Sequence, residues 1–428
     1  MKSLLLPLSV LLALCVLTLP AAAQRKKEAI CTVCEFDPEV MEAAGIQNHG
    51  PFTFFKTDSE DIERVVGAQN MVWLETTHFR FGSDLAPWKV PVKDKKAYRT
   101  ELTELKELFP KVDPRKTKTL DRWMRVHLMA FRMEKAYQHL LGLTGYTEDQ
   151  FVYLPSEQEF RDAEAGGAWK DDLEKIYLDH QDRAQGMPLW IGLGQYFGMP
   201  MKFEFLMMRY EEDFGMIKRH YIGHLDANPQ RWHCTWRPPD TEPVSRSLWF
   251  GLSTEREDIK HDQHLHNALQ HNFAINFLDG FMLYLVEAPV WLRVGLGHYM
   301  SKRNSHDYNF YDMDEGSAKL QKDAQKWEPL VRKYVLKGEA PGFADLSRLR
   351  SFGDLGFEAH LTSWSKVKFL MERDPEKFGL WLTKLKTAED LTNNLATQRK
   401  ILKEVWGWSF AKADEEWNTW VKETYSLK

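Results

Sequence analysis

Hydrophobic and polar positions follow two periods along this chain, and each period marks a different kind of structure. Between Met71 and Phe81 the run M-V-W-L-E-T-T-H-F-R-F alternates and is β-rich, which predicts a strand. Lys202 to Met208 and Ser247 to Leu252 predict two more, and Phe151 to Leu154 a short one. A helical period takes over in Asp94–Leu108 and Leu120–Leu143. In the second, Trp123, Val126, Met129, Ala130, Met133 and Tyr137 fall on one face. Another helix is predicted to open at P-S-E-Q-E-F (Pro155 to Phe160), with Ser156 as N-cap and Glu159 three residues on. Trp232 to Ser245 is proline-rich and aperiodic, so it reads as a loop. One helix then runs from about Glu257 to Leu278, with Gly280 near its end, and a second opens after Pro289. That second helix stops before the polar stretch Asn304 to Asp314, and everything onward to Lys428 reads as helical.

These elements predict an α+β chain, and 428 residues are enough to bury a large core in two or three units. Residues 24–68 carry few periodic runs and read as an N-terminal extension; 69–255 form an α+β part and 256–428 a helical part. Residues 1–23 have Lys2, an apolar run from Leu4 to Pro20 and then Ala21-Ala22-Ala23. A charged start, a short apolar run and small residues at the end predict a cleavable signal peptide, hence a secreted or periplasmic chain beginning near Gln24. Cys15 follows Leu14 rather than a small residue, which argues against a lipid anchor. No later stretch has the ~20 uninterrupted apolar residues of a spanning helix.

Charge narrows the partners. The formal net charge is −5, and loss of the single charge on Lys2 takes it to −6, spread over residues of both signs. Nucleic acid is therefore not an expected partner, since duplex binding needs a basic face. Sixteen tryptophans and 13% aromatic residues imply either a well-packed core or platforms for a glycan or peptide.

Three cysteines remain after the signal. Cys31 and Cys34 form C-T-V-C, and Cys234 lies in R-W-H-C-T-W. In an oxidising compartment the expected states are a Cys31–Cys34 disulfide or a bridge from one of them to Cys234. Ligand type alone also permits a metal site from Cys31, Cys34, His233 and Cys234.

The densest chemistry is I-K-H-D-Q-H-L-H-N-A-L-Q-H-N-F (Ile259 to Phe273), followed by A-P-V-W-L-R-V-G-L-G-H-Y (Ala288 to Tyr299). This pair resembles the active-site frame of the gluzincins, in particular extracytoplasmic bacterial peptidase-like proteins with H-E-x-x-H and then P-x-W-L-x-E-G-L-A-x-Y. The resemblance also touches the Met71 strand, Leu361 to Glu372 and the ending Trp406 to Tyr425. It implies a zincin-like fold with a small sheet, paired pseudo-active helices and a helical C-terminal region. In such a site two histidines at i and i+4 bind zinc, an intervening glutamate is the base and a glutamate of the next helix completes the set.

Here Asn267-Ala268-Leu269-Gln270-His271 stands in that frame. Asn267 replaces the first histidine, Ala268 the base and Val294 the third ligand, leaving His271, while Tyr299 keeps the tyrosine of the second motif. Alanine cannot take a proton and valine cannot ligate. The resemblance thus implies a catalytically inactive pseudopeptidase, with no cofactor expected, that binds a polypeptide or scaffolds a partner in the former substrate cleft.

Two alternatives stay open. One is an active metalloenzyme with a relocated site from His261, His264, His271 and His298, since five of the chain's 15 histidines lie between His261 and His298. Against it, His264 and His271 are two helical turns, about 10 Å, apart. In the resembled sites the His298 position commonly orients a ligand, and Asp279 and Glu287 are the nearest carboxylates for a base. The other alternative is a cell-envelope glycan binder using exposed tryptophans.

Overall fold

A computed structural model describes residues 30–67, 71–145, 202–236, 245–255, 259–281, 287–306, 308–311, 327–386, 388 and 393–427. The expected signal peptide and the elements expected at Phe151 to Phe160 lie outside these residues.

The chain opens with α1 (Pro38–Ala43), capped by the Asp37 carboxylate, followed by β1 (Ile46–Asn48), the short hairpin β2 (Thr53–Phe54) and β3 (Thr57–Asp58), and α2 (Ser59–Val66). Strands β4 (Val72–Thr76) and β5 (Phe79–Ser83) are antiparallel. The single strand expected over Met71 to Phe81 is therefore a hairpin. It bends at Thr77-His78, where Glu134 accepts hydrogen bonds from the Thr76 hydroxyl and the His78 amide. A small β6 (Trp88–Lys89) and β7 (Thr119–Leu120) pair flanks α3 (Lys95–Leu108), and α4 (Arg122–Thr144) follows with Asp121 as N-cap.

Next come β8 (Lys202–Met208), α5 (Glu211–Ile222), β9 (Gln230–Trp236) and β10 (Ser245–Ser253). The loop expected from Trp232 is thus a strand at its start: β9 pairs antiparallel with β10 despite the prolines that follow it. The remainder is helical: α6 (Asp262–Gly280), α7 (Val290–Asn304), α8 (Trp327–Lys337), α9 (Phe343–Leu346), α10 (Phe357–Arg373), α11 (Pro375–Lys386), α12 (Leu395–Trp406) and α13 (Phe410–Thr424). Among the described residues no helix is long and apolar enough to cross a membrane.

One mixed sheet organises the α+β architecture, in the order β1-β4-β5-β8-β10-β9. β5, β8 and β10 run parallel to their neighbours in the centre, and antiparallel strands close both edges. Alternation splits β8 between two cores: Phe203, Phe205 and Met207 face α4 and α6, while Leu206 and Met208 face α2 and α5. Glu204 is also fully buried, and its charge is met by the Phe55 amide at 2.6 Å and Arg80 at 3.2 Å. β1 is the edge strand, so the described part of the N-terminal segment, 30–67, contributes to the sheet.

Helix α6 is buried on nearly every side from Leu265 to Gly280. It lies between the sheet and α7, and α7 in turn packs on α10. Two glycines permit this. A side chain at Gly295 would meet the Ser363 backbone oxygen at 2.6 Å, and one at Gly297 the His271 ring at 2.9 Å.

Candidate metal centre

C-T-V-C forms a tight turn rather than a strand or helix. The Glu35 amide bonds the Cys31 carbonyl at 3.0 Å and the Asp37 amide the Cys34 carbonyl at 2.9 Å. Glu35 and Phe36 then adopt left-handed φ of 54° and 60°, unusual for non-glycine residues and a local strain that turns the chain back sharply. This folds the Phe36 ring onto His49 at 4.8 Å and Trp123 at 5.6 Å. Thr32 donates to Asp121, tying the turn to the N-cap of α4.

Four donors converge here. Cys31, Cys34, His49 and His127 bring one ligand atom each to within 4.8 Å of one another. Sγ of Cys31 is 3.7 Å from Nε2 of His127, and Sγ of Cys34 is 3.4 Å from Nε2 of His49. Tetrahedral zinc with ordinary Zn–S and Zn–N bonds separates its ligand atoms by about 3.3–3.8 Å. Thiol-to-imidazole hydrogen bonds span similar distances, so the surroundings decide between the two. The amides of Val33 and Cys34 both point at Sγ of Cys31, each at 3.4 Å, and so favour a thiolate. Nδ1 of His127 lies 2.9 Å from the Trp123 carbonyl, which can only accept. Nδ1 therefore donates, and Nε2 is the nitrogen turned toward the sulfurs, the one a metal would bind.

The two thiols divide one charge. A hydrogen bond from Cys34, helped by His127 and His49 and opposed by burial, holds Cys31 well below the usual thiol range. The same hydrogen bond and burial push Cys34 up. A divalent cation would replace that shared proton and stabilise both sulfurs as thiolates. An N2S2 set of this kind suits zinc.

Three of the donors are buried and His49 is half-buried. His49 forms part of the wall of an open groove of about 1430 Å³ that follows Gly45 to Pro51, with Trp73 and Val72 of β4, the start of α2 and Trp123 around it. Gly50, at φ 89°, lets the chain pass Trp73 just after His49, where a side chain would come within 3.3 Å of the Trp73 Cβ.

The sequence pointed only partly to this site. Cys31 and Cys34 are free thiols here, not the expected disulfide. Cys234 lies on β9, at the sheet edge opposite β1, roughly 24 Å away at ~4.8 Å per strand. Bridged Cα atoms lie within about 7 Å, far less than that strand span. His49 and His127 were missed. A histidine 15 residues after Cys34 was a readable signal. His127, on the apolar face of α4 and 96 residues from Cys31, carried none.

Among the described residues, those expected at the peptidase frame occupy one largely buried region. Asn267 donates to the carbonyls of Ser305 and Tyr308, at 3.0 and 2.9 Å. Ala268, His271 and Val294 are each 0% exposed. Tyr299 is half-buried and stacks on His139.

The four histidines of the relocated-site alternative fall into two groups. His261 caps α6 through the Gln263 amide and its ring neighbours His264, which stacks on Tyr308 at 4.4 Å. His271 instead lies 4.7 Å, ring to ring, from His298, whose Nε2 is 3.0 Å from Nδ1 of His360 on α10. Burial and these neighbours hold His298 far below the usual imidazole range, hence neutral. Asp279 is no free base: it pairs with Arg293 at 2.8 Å. Among the described residues, only the Cys31–Cys34–His49–His127 group offers a metal such converging donors.

Compared with known proteins, the chain matches no family model, no curated protein and no solved structure.

Proposed function

We propose that this chain is an exported zinc-binding protein on a zincin-like, gluzincin-related frame that has given up hydrolysis. Zinc at Cys31, Cys34, His49 and His127 locks the N-terminal segment onto the sheet. The observation that carries the reading is the convergence of four donors from three segments of the chain within 4.8 Å, with Nε2 of His127 turned toward the sulfurs. Four protein donors leave no open coordination position, so the metal's role is structural, and its binding energy is folding energy. Zinc thus takes the place of the expected absence of a cofactor.

The frame part of the proposal rests on the motif residues and on the packing of α6 against α7. Full burial of Ala268, His271 and Val294 supports an inactive core, since neither water nor substrate reaches them. The protein's work is then binding, on a surface other than the former cleft.

Elemental analysis tests this on protein purified without chelator or metal-carrying tag. One equivalent of zinc is expected, absent from Cys31→Ser and His127→Ala. Metal-free wild-type protein, or metal that survives both substitutions, would overturn the proposal.

A further inference from the structure

The groove beside the metal centre has a recognisable chemistry. Its long side is Gly45 to Pro51, which contains the whole of β1, and β1 has β4 on one side and no described strand on the other. An unpaired strand edge offers backbone donors and acceptors to any extended chain laid beside it. The volume of about 1430 Å³ exceeds a small-ligand pocket, which is usually ~300–1,000 Å³.

Its charge is one-sided. Glu42 on α1, Glu60 and Glu63 on α2, and Asp121 face it, against Arg122 alone. Asp121 is committed to Thr32 and the α4 amide of Met124, and Glu63 accepts from the Trp73 indole at 2.7 Å. Glu42 and Glu60 form no salt bridge among the described residues. Glu60 and Glu63, three apart on one helix face, repel each other. Burial and that repulsion raise Glu63. A cation placed between them would relieve the repulsion, and the partly exposed Trp123 in the groove wall supplies a face for its alkyl stem and charge.

We infer that this groove docks an extended polypeptide segment bearing lysine or arginine side chains, laid along the edge of β1 with its cations toward Glu42, Glu60 and Glu63. The inference deepens the binding role proposed above, yet it does not depend on zinc as the bound metal.

The test is fluorescence anisotropy with two labelled decapeptides, one alternating lysine with threonine and one alternating glutamate with threonine, on the zinc-assayed wild-type protein. The lysine peptide is expected to bind at least about 10-fold more tightly than the glutamate peptide, with the difference shrinking in high salt. Glu60→Gln with Glu63→Gln is expected to weaken the lysine peptide about 10-fold. Gln47→Pro, which removes an edge donor, is expected to weaken it as well. Equal binding of the two peptides, or no binding of either at about 1 mM, would overturn the inference. The wild-type comparison stands even if a variant fails to fold. Peptide binding by a zinc-free protein would remove the metal proposal and leave this one, whereas zinc without peptide discrimination would do the reverse.

Discussion

Nδ1 of His127 donates its proton to the carbonyl of Trp123, 2.9 Å away, and so turns Nε2 toward Sγ of Cys31. The acceptor is one turn back on the same helix, so α4 itself orients the ring. Phe109 at 5.3 Å and His49 at 5.7 Å hold the ring's faces. A ligand fixed this way needs no rearrangement to bind.

His127→Ala is therefore expected to lower zinc affinity by more than the ~10–100-fold that loss of an outer hydrogen-bond partner costs. Competition with a chromophoric chelator would measure it. The same variant should lower Tm by more in zinc than after chelation, since the cavity left by the buried ring is common to both states and the ligand is lost only where metal is bound.

Asp262 ties three helices together. It accepts from Tyr98 of α3 at 2.6 Å and Arg132 of α4 at 3.0 Å, with Arg125 at 3.5 Å. Burial opposes its ionisation, but Arg132 and Arg125 hold its carboxyl well below the usual carboxylate range. Asp262→Ala is expected to cost about 3–5 kcal/mol by leaving the buried Arg125 without its carboxylate partner and the Tyr98 hydroxyl without its acceptor, while Arg132 keeps Glu101, as measured by urea unfolding. With a depressed folded pKa, the stability from Asp262 is present above the unfolded value near 4 and lost as pH falls below it.

Lys302 has the opposite sign. Its ammonium is buried over Trp327 at 3.9 Å and bonds Asn309, and burial pulls its pKa down to about 7. The folded state therefore holds fewer protons than the unfolded one between about 7 and the usual lysine value near 10.4, and its contribution grows more favourable as pH rises through that window. Lys302→Met is expected to gain most in Tm over wild type near pH 6, with the gain shrinking toward pH 9. A pH-independent difference would contradict this.

Restoring the base of the resembled peptidases would not restore a peptidase. Ala268 has 0% exposure, so Ala268→Glu places a carboxylate in a sealed core. The expected outcome is destabilisation by about 3 kcal/mol or more in urea unfolding, with no gain of peptide hydrolysis.

Much of this fold was legible because it follows from local period. Lys202–Met208 is a strand with the bounds its pattern gave, and the helix pair Asp262–Gly280 and Val290–Asn304 follows from its apolar spacing and Pro289. Strand β9 was hidden by the prolines after Trp236, and the Thr77-His78 bend by the unbroken alternation around it. Both are fixed by partners, β10 and Glu134, that local pattern does not reveal. The candidate metal site was half legible for the same reason. C-T-V-C announces ligands, but what it meets is decided by the placement of β1 and α4. Separation in space also accounts for the histidines. His264 and His271 share a stripe on α6, yet one stacks on Tyr308 and the other is sealed against His298.

Cys31 and His127 are 96 residues apart, and this has a consequence in time. A chain made from its N-terminus presents both thiols long before α4 exists to cover them. The dithiol stays open to oxidation through that interval, and a Cys31–Cys34 disulfide formed then would close the site to zinc before His127 arrived. On the proposed zinc reading, loading then depends on whether metal or oxidant reaches the dithiol of the nascent chain first.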